Sequence, residues 1–516
     1  MFIKTYVVKD RLMKFLSLFL VLGLAFSYNN ASASYVYGED DARLINGVLY
    51  DADGAPVTGT YQEFYESNVL KSSMPYINGK RNGVGALYNN RGTKTSDMPY
   101  VDGLKEGNAL VYYFDGKLKE KIPYVNDKIN GVKRTYFRNG NISSSINYVA
   151  DVESGEAKFF YEDGTIKESF NYVEGQKEGK SIAYFYDGSV AEVTFYDKGR
   201  IVDEQTIYYK TGRVKSEIEY TFGQKNGMMR NYYEDGVLES AIPYKDGVIS
   251  GEGNFYKKNG ELDLTVNYDK NVRNGLAKAY YPNGKVKLSA MYVNDVKNGL
   301  ETEYFETGAV KEEKPFVDGI ISGVGREYYE NSNIKSIKNY DNAIVNGEAS
   351  FFDEEGDLLS VSIYKDGKKN GLQKNFDKSG KVVSEGTYVD NILDGPFKEF
   401  YENGKVKSTY NYTKGILEGM SLVYDVDGNL SYEVPYVKNR KEGKVKRFYP
   451  TGEVMGEISY EKGMKHGMLD AYNQDGTLMA KVLFNKDKAI KGYSLDHGKK
   501  PVLMTEEELK VINDAY

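Results

Sequence analysis

An aromatic residue recurs every 24 positions through most of this 516-residue chain, without an insertion or deletion. We call these residues the anchors and number other positions from the preceding anchor, so that +12 lies twelve residues further on. Position +3 is Gly, Asn or Asp in every repeat but the one with Ala343, and glycine occupies +7 and +16 with few exceptions. These residues tolerate left-handed backbone, so each repeat is predicted to contain two turns and two short strands. The anchors are Tyr76, Tyr100, Tyr124, Tyr148, Tyr172, Tyr196, Tyr220, Tyr244, Tyr268, Tyr292, Phe316, Tyr340, Tyr364, Tyr388, Tyr412, Tyr436, Tyr460 and Phe484.

The residues around the second turn indicate how the two strands pair. Position +12 is aromatic up to Tyr472, and +18 is aliphatic, as in Leu118, with Lys94 the first exception. A three-residue loop places +12 and +18 on one face, whereas a two-residue loop separates them. We therefore expect type I turns in which Gly116 and its equivalents are left-handed and form a bulge. The expected core stripe consists of +12, +18, +22 and the anchor.

The predicted fold is all-β: an elongated antiparallel ribbon of about 18 stacked β-hairpin repeats with a short C-terminal capping helix. At ~4.8 Å between strands, each repeat adds roughly 9.5 Å, which gives a rod roughly 170 Å long. Residues 34–75 are expected to form an N-terminal degenerate repeat or cap, 76–492 the repeat array, and 493–516 the C-terminal cap. Thr505 followed by Glu508 predicts a capping box and a helix from Glu506 to about Asp514, with a disordered tail as the alternative.

Residues 1–33 have the order of a cleavable export signal. Positive charges, among them Lys9 and Lys14, precede an apolar run from Phe15 to Phe26, and small residues follow up to Ala33. The apolar run is shorter than the ~20 residues that span a bilayer. We expect cleavage after Ala33 and no transmembrane segment in the exported chain.

The composition argues against catalysis and nucleic-acid binding. The chain has no Cys and two His, His466 and His497, so thiolate chemistry and most His-based catalysis are excluded. There are 68 basic and 75 acidic residues, a net charge of −7. The chain therefore lacks the excess of basic residues that favours binding to nucleic acid. We expect no enzyme activity, cofactor or metal. Asp425, Asp427 and Asn429 resemble part of a calcium loop, but turn chemistry explains them better.

A second aromatic residue often follows directly at +13. By alternation it is expected to face away from the core stripe. These residues either cover backbone and flank lysine side chains, or they form an extended recognition ladder, since Tyr offers large contact area at low entropic cost. If the stripe is one-sided, truncating Tyr232 at +12 should cost about 3 to 5 kcal/mol and truncating Tyr233 much less. The candidate ladder is Tyr113, Phe137, Tyr161, Phe185, Tyr209, Tyr233, Tyr281, Phe305, Tyr329, Tyr401 and Tyr449.

Segments such as 401–408 and 436–443 are similar to the bacterial variant of the MORN repeat, also labelled the YwqK-family antitoxin repeat. The resemblance covers nearly the whole chain beyond residue 46. It implies a meander of β-hairpins, in agreement with the turn pattern. For function it implies less: MORN repeats in eukaryotes are associated with membrane-proximal scaffolding and are appended to enzymes such as phosphatidylinositol phosphate kinases.

Two classes of function remain open from the sequence. We expect an exported, non-enzymatic repeat protein that presents an extended binding or scaffold surface to a protein or glycan, in an adhesion-like role at the cell surface or outside the cell. The alternative is an envelope antitoxin or immunity protein that neutralises a secreted toxin by binding. A neighbouring toxin gene would favour the alternative.

Overall fold

The computed structural model describes residues 35–495 and 499–515. The predicted export signal and His497 lie outside the described residues. The described chain is nearly all β with one short helix at its C-terminal end, which confirms the predicted class of stacked 24-residue hairpins. The chain divides into two compact units, one up to Ser189 and one from Val190 onwards.

The described part of the first unit contains seventeen strands. They are β1 Val36–Tyr37, β2 Ala42–Ile45, β3 Val48–Asp51, β4 Gly59–Phe64, β5 Leu70–Ile77, β6 Lys80–Arg81, β7 Gly83–Tyr88, β8 Lys94–Val101, β9 Leu104–Lys105, β10 Gly107–Tyr112, β11 Leu118–Val125, β12 Lys128–Ile129, β13 Gly131–Tyr136, β14 Ile142–Val149, β15 Val152–Phe160, β16 Ile166–Val173 and β17 Gln176–Tyr184.

Within the described ranges, the second unit contains thirty-one strands and the helix. They are β18 Val190–Asp197, β19 Arg200–Tyr208, β20 Val214–Thr221, β21 Gln224–Tyr232, β22 Leu238–Lys245, β23 Val248–Ile249, β24 Gly251–Tyr256, β25 Leu262–Asp269, β26 Val272–Tyr280, β27 Val286–Val293, β28 Val296–Tyr304, β29 Val310–Val317, β30 Ile320–Ile321, β31 Gly323–Tyr328, β32 Ile334–Asp341, β33 Ile344–Phe352, β34 Leu358–Lys365, β35 Lys368–Phe376, β36 Val382–Val389, β37 Ile392–Phe400, β38 Val406–Thr413, β39 Ile416–Leu417, β40 Gly419–Tyr424, β41 Leu430–Val437, β42 Arg440–Lys441, β43 Gly443–Phe448, β44 Val454–Glu461, β45 Met464–Tyr472, β46 Leu478–Asn485, β47 Lys488–Ser494, β48 Val502–Leu503 and α1 Glu506–Ala515.

The loop between β10 and β11 has the predicted three residues. Tyr112 pairs with Leu118 at the base of the loop. The Tyr113 amide donates to the Lys117 carbonyl at 2.8 Å, and the Gly116 amide donates to the Tyr113 carbonyl at 2.9 Å. Gly116 has φ 80°, the left-handed conformation that glycine adopts at low cost. The loop and its glycine bulge are therefore confirmed.

The other turn of each repeat has two residues. Val125 pairs with Lys128, and the residues between them, Asn126 and Asp127, have φ 49° and 66°. Two consecutive positive φ angles are typical of a type I′ turn, whose twist matches that of the strands it joins. The Asp127 side chain also accepts a hydrogen bond of 2.7 Å from the Lys105 amide. An Asp or Asn at +3 thus connects its turn to the preceding repeat.

A second irregularity in the hairpin changes which residues share a face. Tyr112 pairs with Leu118, yet Val111 pairs with Glu120 rather than with Lys119. Lys119 is therefore an extra residue in the second strand, and side-chain alternation shifts there by one position.

This shift corrects the predicted core stripe. Ala109 pairs with Ile122, and Ala109 lies three residues before Tyr112, so Ile122 is on the opposite face from Tyr112. Positions +12 and +18 do share a face, as predicted, but the prediction that +22 and the anchor share it with them is wrong. We call the two sides the Leu118 face (+1, +4, +8, +10, +12, +18, +21, +23) and the Ile122 face (+5, +9, +11, +13, +20, +22 and the anchor).

The Ile122 face carries most of the buried apolar side chains. They lie mainly at +9 and +22, which are paired across each hairpin, and include Ala109, Ile122, Ala157, Phe170, Ile218, Val266, Ala290, Ala349, Val434, Val445 and Val482. Lysine or arginine at +5 covers the next anchor ring, as Lys105 does with its Nζ 4.9 Å from the centre of the Tyr124 ring. Within the repeats of each unit, the core is therefore a row of side chains rather than a globular centre.

The described N-terminal residues cover the first hairpin of the repeat array. Strand β1 pairs in parallel with β4, and β2 and β3 form a separate hairpin. Ala42, Leu49 and Val57 pack into one buried cluster with Met74 and the first anchors. The exposed edge of β4 is thus paired, which protects it from other chains.

The C-terminal helix begins with the predicted capping box. The Thr505 amide donates to Glu508 Oε2 at 2.7 Å, and the Glu508 amide donates to Thr505 Oγ1 at 3.2 Å. Leu509 and Ile512 pack on the last repeat, and Asn513 Oδ1 accepts a hydrogen bond of 2.7 Å from the Ala489 amide. The predicted helix is confirmed and covers the Ile122 face of the last repeat.

Candidate binding surfaces

The predicted ladder at +13 lies beside the three-residue loops. All eleven residues are half-buried. Alternation places them on the Ile122 face, so they face away from +12 as expected but share a side with +22 and the anchors. The eight tyrosines each donate a hydrogen bond to the +12 carbonyl of the next repeat: Tyr113 to Tyr136 (2.7 Å), Tyr161 to Tyr184 (2.8 Å), Tyr209 to Tyr232 (2.8 Å), Tyr233 to Tyr256 (2.8 Å), Tyr281 to Tyr304 (2.7 Å), Tyr329 to Phe352 (2.9 Å), Tyr401 to Tyr424 (2.8 Å) and Tyr449 to Tyr472 (2.9 Å).

Lysine side chains lie over several of these rings. Lys167 Nζ is 5.9 Å from the centre of the Tyr161 ring, and Lys335 Nζ is 5.8 Å from that of Tyr329. The hydroxyls are occupied within the protein and the rings are partly covered, so the row has a structural role in joining repeats. Recognition of a partner by this ladder stays a prediction.

Tyrosines at +12 lie on the Leu118 face and contact carboxylates of the preceding repeat. The Tyr112 hydroxyl donates to Asp97 at 2.7 Å, and the Tyr232 hydroxyl donates to Glu217 at 2.7 Å. Burial, reinforced by these carboxylates, raises the pKa of Tyr112 and that of Tyr232 to about 12. These phenols are therefore neutral hydrogen-bond donors over the physiological pH range.

Exposed aliphatic side chains lie beside the two-residue turns of the second unit. Val293 pairs with Val296, and Val317 pairs with Ile320. With three neighbours on the same Leu118 face they form a set that is 39% to 52% exposed, which we call the aliphatic edge: Met291, Val293, Val296, Leu300, Val317, Ile320 and Val324. The sequence prediction missed it, although aliphatic residues on both sides of a turn were a visible signal.

Other repeats show that folding does not require aliphatic residues there. Position +1 is Thr221 or Lys245 elsewhere in the second unit, and +4 is Gln224 or Lys368. Contiguous exposed apolar surface of this kind is typical of protein interaction sites.

The residues that resemble part of a calcium loop form a turn instead. Asp425 Oδ1 accepts hydrogen bonds from the amides of Asp427 (3.0 Å) and Asn429 (2.8 Å). His466 Nε2 lies 3.8 Å from Glu461 Oε2 on the surface. Over residues 35–495 and 499–515, no group of three or more His, Asp or Glu side chains is arranged to hold a metal ion. No helix in the same ranges is long and apolar enough to cross a membrane.

Repeated hairpins of fixed length, joined by tyrosines at fixed positions, define a β-hairpin repeat protein. The MORN repeat variant matches eleven segments of the chain, and the chain belongs to the MORN-repeat proteins, as its resemblance implied. The segments are 57–78, 105–126, 129–150, 153–174, 225–246, 273–294, 297–318, 322–342, 369–390, 393–414 and 441–462. No curated protein matches the chain.

Two solved structures are reported among those that the chain matches. The chain is 10% identical to a chain of TcdB2-TccC3, over 86% of this chain and 28% of that one, with a TM-score of 0.14. It is 11% identical to a chain of the Photorhabdus luminescens Tc holotoxin pore, over 89% of this chain and 28% of that one, with a TM-score of 0.13. The chain spans less than a third of the length of either, and similarity at these TM-scores carries no conclusion about function.

Proposed function

We propose that the chain is an exported, non-enzymatic scaffold that binds a protein partner at the cell surface or outside the cell. The aliphatic edge is the observation that carries this proposal. Its side chains lie next to one another on one face, they are exposed, and the repeat does not need them for folding. Aliphatic surface of this kind favours a protein partner over a glycan, because glycans present hydroxyl groups that such side chains leave unsatisfied.

The binding test exchanges residues of the aliphatic edge for those found at the same positions in other repeats. The variant Val293→Thr, Val296→Gln, Val317→Lys and Ile320→Lys should keep the circular dichroism spectrum and melting of the parent. It should lose the proteins that the parent captures from cell-surface and envelope fractions. The matched control, Val101→Thr with Leu104→Gln, alters the same positions in the first unit and should retain them. The proposal would be contradicted if the aliphatic-edge variant captured the same proteins, in the same amounts, as the control variant.

Export is tested separately by fractionation. The full chain should be processed near Ala33 and recovered outside the cytoplasm, and removal of residues 1–33 should retain it inside. Intact residues 1–33 on cytoplasmic material would contradict this part. The alternative role as an envelope antitoxin stays a prediction, and a secreted toxin among the captured proteins would identify it.

A further inference from the structure

A groove opens on the Ile122 face near the C-terminal end of the second unit. It has a volume of about 610 Å³ and lies between the anchors Tyr436 and Phe484. Val445, Ile458 and Leu469 contribute an apolar lining. This volume falls within the range of about 300 to 1,000 Å³ that is typical of ligand pockets.

The groove exists because two small residues face each other. Gly456 at +20 pairs with Ala471 at +11 of the next repeat. The equivalent pair is Ser240 with Phe255 in another part of the unit, where +11 carries an aromatic ring. A phenylalanine occupies +11 in three other repeats, at Phe159, Phe255 and Phe351, and the methyl group of Ala471 replaces such a ring at this place.

The rim of the groove is cationic. Lys441 Nζ lies 5.2 Å from the centre of the Tyr460 ring, and Lys465 Nζ lies 5.4 Å from that of Phe484. Arg447 is the third lining cation, and the lining contributed by the described residues contains no Asp or Glu.

Three carboxylates of the same repeats lie on the Leu118 face, where lysines pair with them. The distances between charged atoms are 3.6 Å for Glu433 with Lys446, 2.6 Å for Glu457 with Lys444, and 3.4 Å for Asp470 with Lys481. The groove lining itself thus contributes no carboxylate, and Asp487, whose Oδ1 accepts a hydrogen bond of 2.7 Å from the Lys465 amide, is an acidic group beside Lys465.

The helix α1 shows what this face can hold. It lies on the Ile122 face directly beyond the groove, where Leu509 and Ile512 pack against a cluster that includes Phe484. Phe484 also lines the groove. The first turn of α1 carries three glutamates, Glu506, Glu507 and Glu508. The chain therefore already binds one helix with an acidic first turn, α1, on the same face as the groove.

We propose that the groove between Tyr436 and Phe484 binds a short amphipathic helix of a partner protein, with its apolar face on Val445, Ile458 and Leu469 and acidic side chains toward Lys441, Arg447 and Lys465. Such helices insert apolar residues three or four positions apart into a hydrophobic groove. The site gives the proposed scaffold function a defined class of partner, but it lies on a different face from the aliphatic edge.

The test measures binding of a fluorescent, stapled peptide with the sequence of residues 505–515 to the full chain. The staple keeps the peptide helical, because an isolated helix of this length is marginal in water. A second peptide carries Lys at the three glutamate positions. We expect the acidic peptide to bind with an affinity that falls as salt rises, and the basic peptide to bind at least about tenfold more weakly.

Two variants locate the binding site. Ala471→Phe fills the groove with a residue that the chain itself uses at +11, as in Phe255, and should weaken binding about tenfold or more. Lys441→Ile removes one rim charge and should weaken binding about twofold to fivefold. Other repeats carry isoleucine at this +5 position, as Ile201 and Ile249, so the fold should be unaffected. The control Lys225→Ile makes the same change away from the groove and should bind normally.

Several results would overturn the proposal: no binding to the parent, equal binding of both peptides, or binding that Ala471→Phe leaves unchanged. Sedimentation of the full chain gives a further check. A dimer that Ala471→Phe dissociates would assign the groove to α1 of a second copy instead of a partner. The variant of the aliphatic edge should bind the peptide normally, so failure here is distinguishable from failure of the scaffold proposal.

Discussion

Tyr233→Phe isolates the contribution of one hydroxyl between neighbouring repeats. The Tyr233 hydroxyl donates to the Tyr256 carbonyl at 2.8 Å. The repeat tolerates phenylalanine at +13, since Phe137, Phe185 and Phe305 occupy this position elsewhere. The substitution therefore removes a hydrogen bond without leaving a large cavity.

The expected loss is about 1 kcal/mol in the free energy of unfolding. A neutral hydrogen bond contributes roughly 0.5 to 1.5 kcal/mol net, and the half-exposed surroundings allow water to reach the freed carbonyl. The reverse change, Phe305→Tyr, should gain up to about 1 kcal/mol by donating to the Tyr328 carbonyl. The two changes have opposite signs at equivalent positions, which controls for general effects of substitution.

Hydrogen exchange followed by mass spectrometry is the suitable assay, because a repeat sheet opens locally. Amides of β21 to β25 should exchange about fivefold faster in Tyr233→Phe, and those of β28 to β32 more slowly in Phe305→Tyr. Unchanged exchange in both variants would refute a role for the hydroxyls in joining repeats. The ladder would then need another explanation, and recognition of a partner would be the leading one.

Three further predictions follow from individual contacts. Gly116→Ala should cost about 1 to 2 kcal/mol in thermal unfolding, because φ is 80° while no atom of the described chain lies within 4 Å of the added Cβ; a neutral result would contradict a conformational cause. The pKa of Tyr232 is about 12 in the folded protein and about 10 in the unfolded chain, so the neutral phenol stabilises the native state below pH 10. This contribution is lost as the pH rises through 12. Tyr232→Phe should therefore show a flatter loss of stability than the parent between about pH 10 and 12. Thr505→Ala should cost about 1 kcal/mol and speed hydrogen exchange in α1 and β47, whereas unchanged exchange would show that the capping box does not hold the helix.

The sequence predicted the turns well because their residue types have a direct physical meaning. Left-handed backbone selects glycine, asparagine or aspartate, and Gly116 and Asp127 have the expected positive φ angles. The capping box of α1 was equally readable, because Thr505 and Glu508 satisfy each other's amides within four residues. Local hydrogen bonds therefore account for what the sequence could predict.

The division of residues between the two faces was not predictable in the same way. The extra residue Lys119 needs no special conformation that only one residue type supplies, and +19 is elsewhere Ser143, Glu239 or Met455. The corrected faces also change an expectation about mutation. Tyr232 and Tyr233 are both half-buried, and the Tyr232 hydroxyl is bonded as the Tyr233 hydroxyl is. Truncating either to Ala should thus cost similar amounts.

The groove and the aliphatic edge were missed for a different reason. Each depends on residues from several repeats that become neighbours only when the register is known, such as Gly456 opposite Ala471. A pattern within one repeat carries no information about such pairs. The composition of the whole chain does not reveal them either, because it averages over all repeats.

The contacts between repeats indicate where function can vary without loss of the fold. Neighbouring repeats are joined at one edge by backbone and +3 side chains, as with Asp127 and Lys105, and at the other by the +13 hydroxyls. These contacts use a backbone amide of the preceding repeat and a backbone carbonyl of the next one, so they hold for many choices of residue at +1, +4, +11 and +20. The aliphatic edge includes the first two of these positions, and the groove lining includes the last two. Residues that the fold leaves free are therefore the ones that differ between repeats, and partner binding is expected to follow them rather than the invariant aromatic rows.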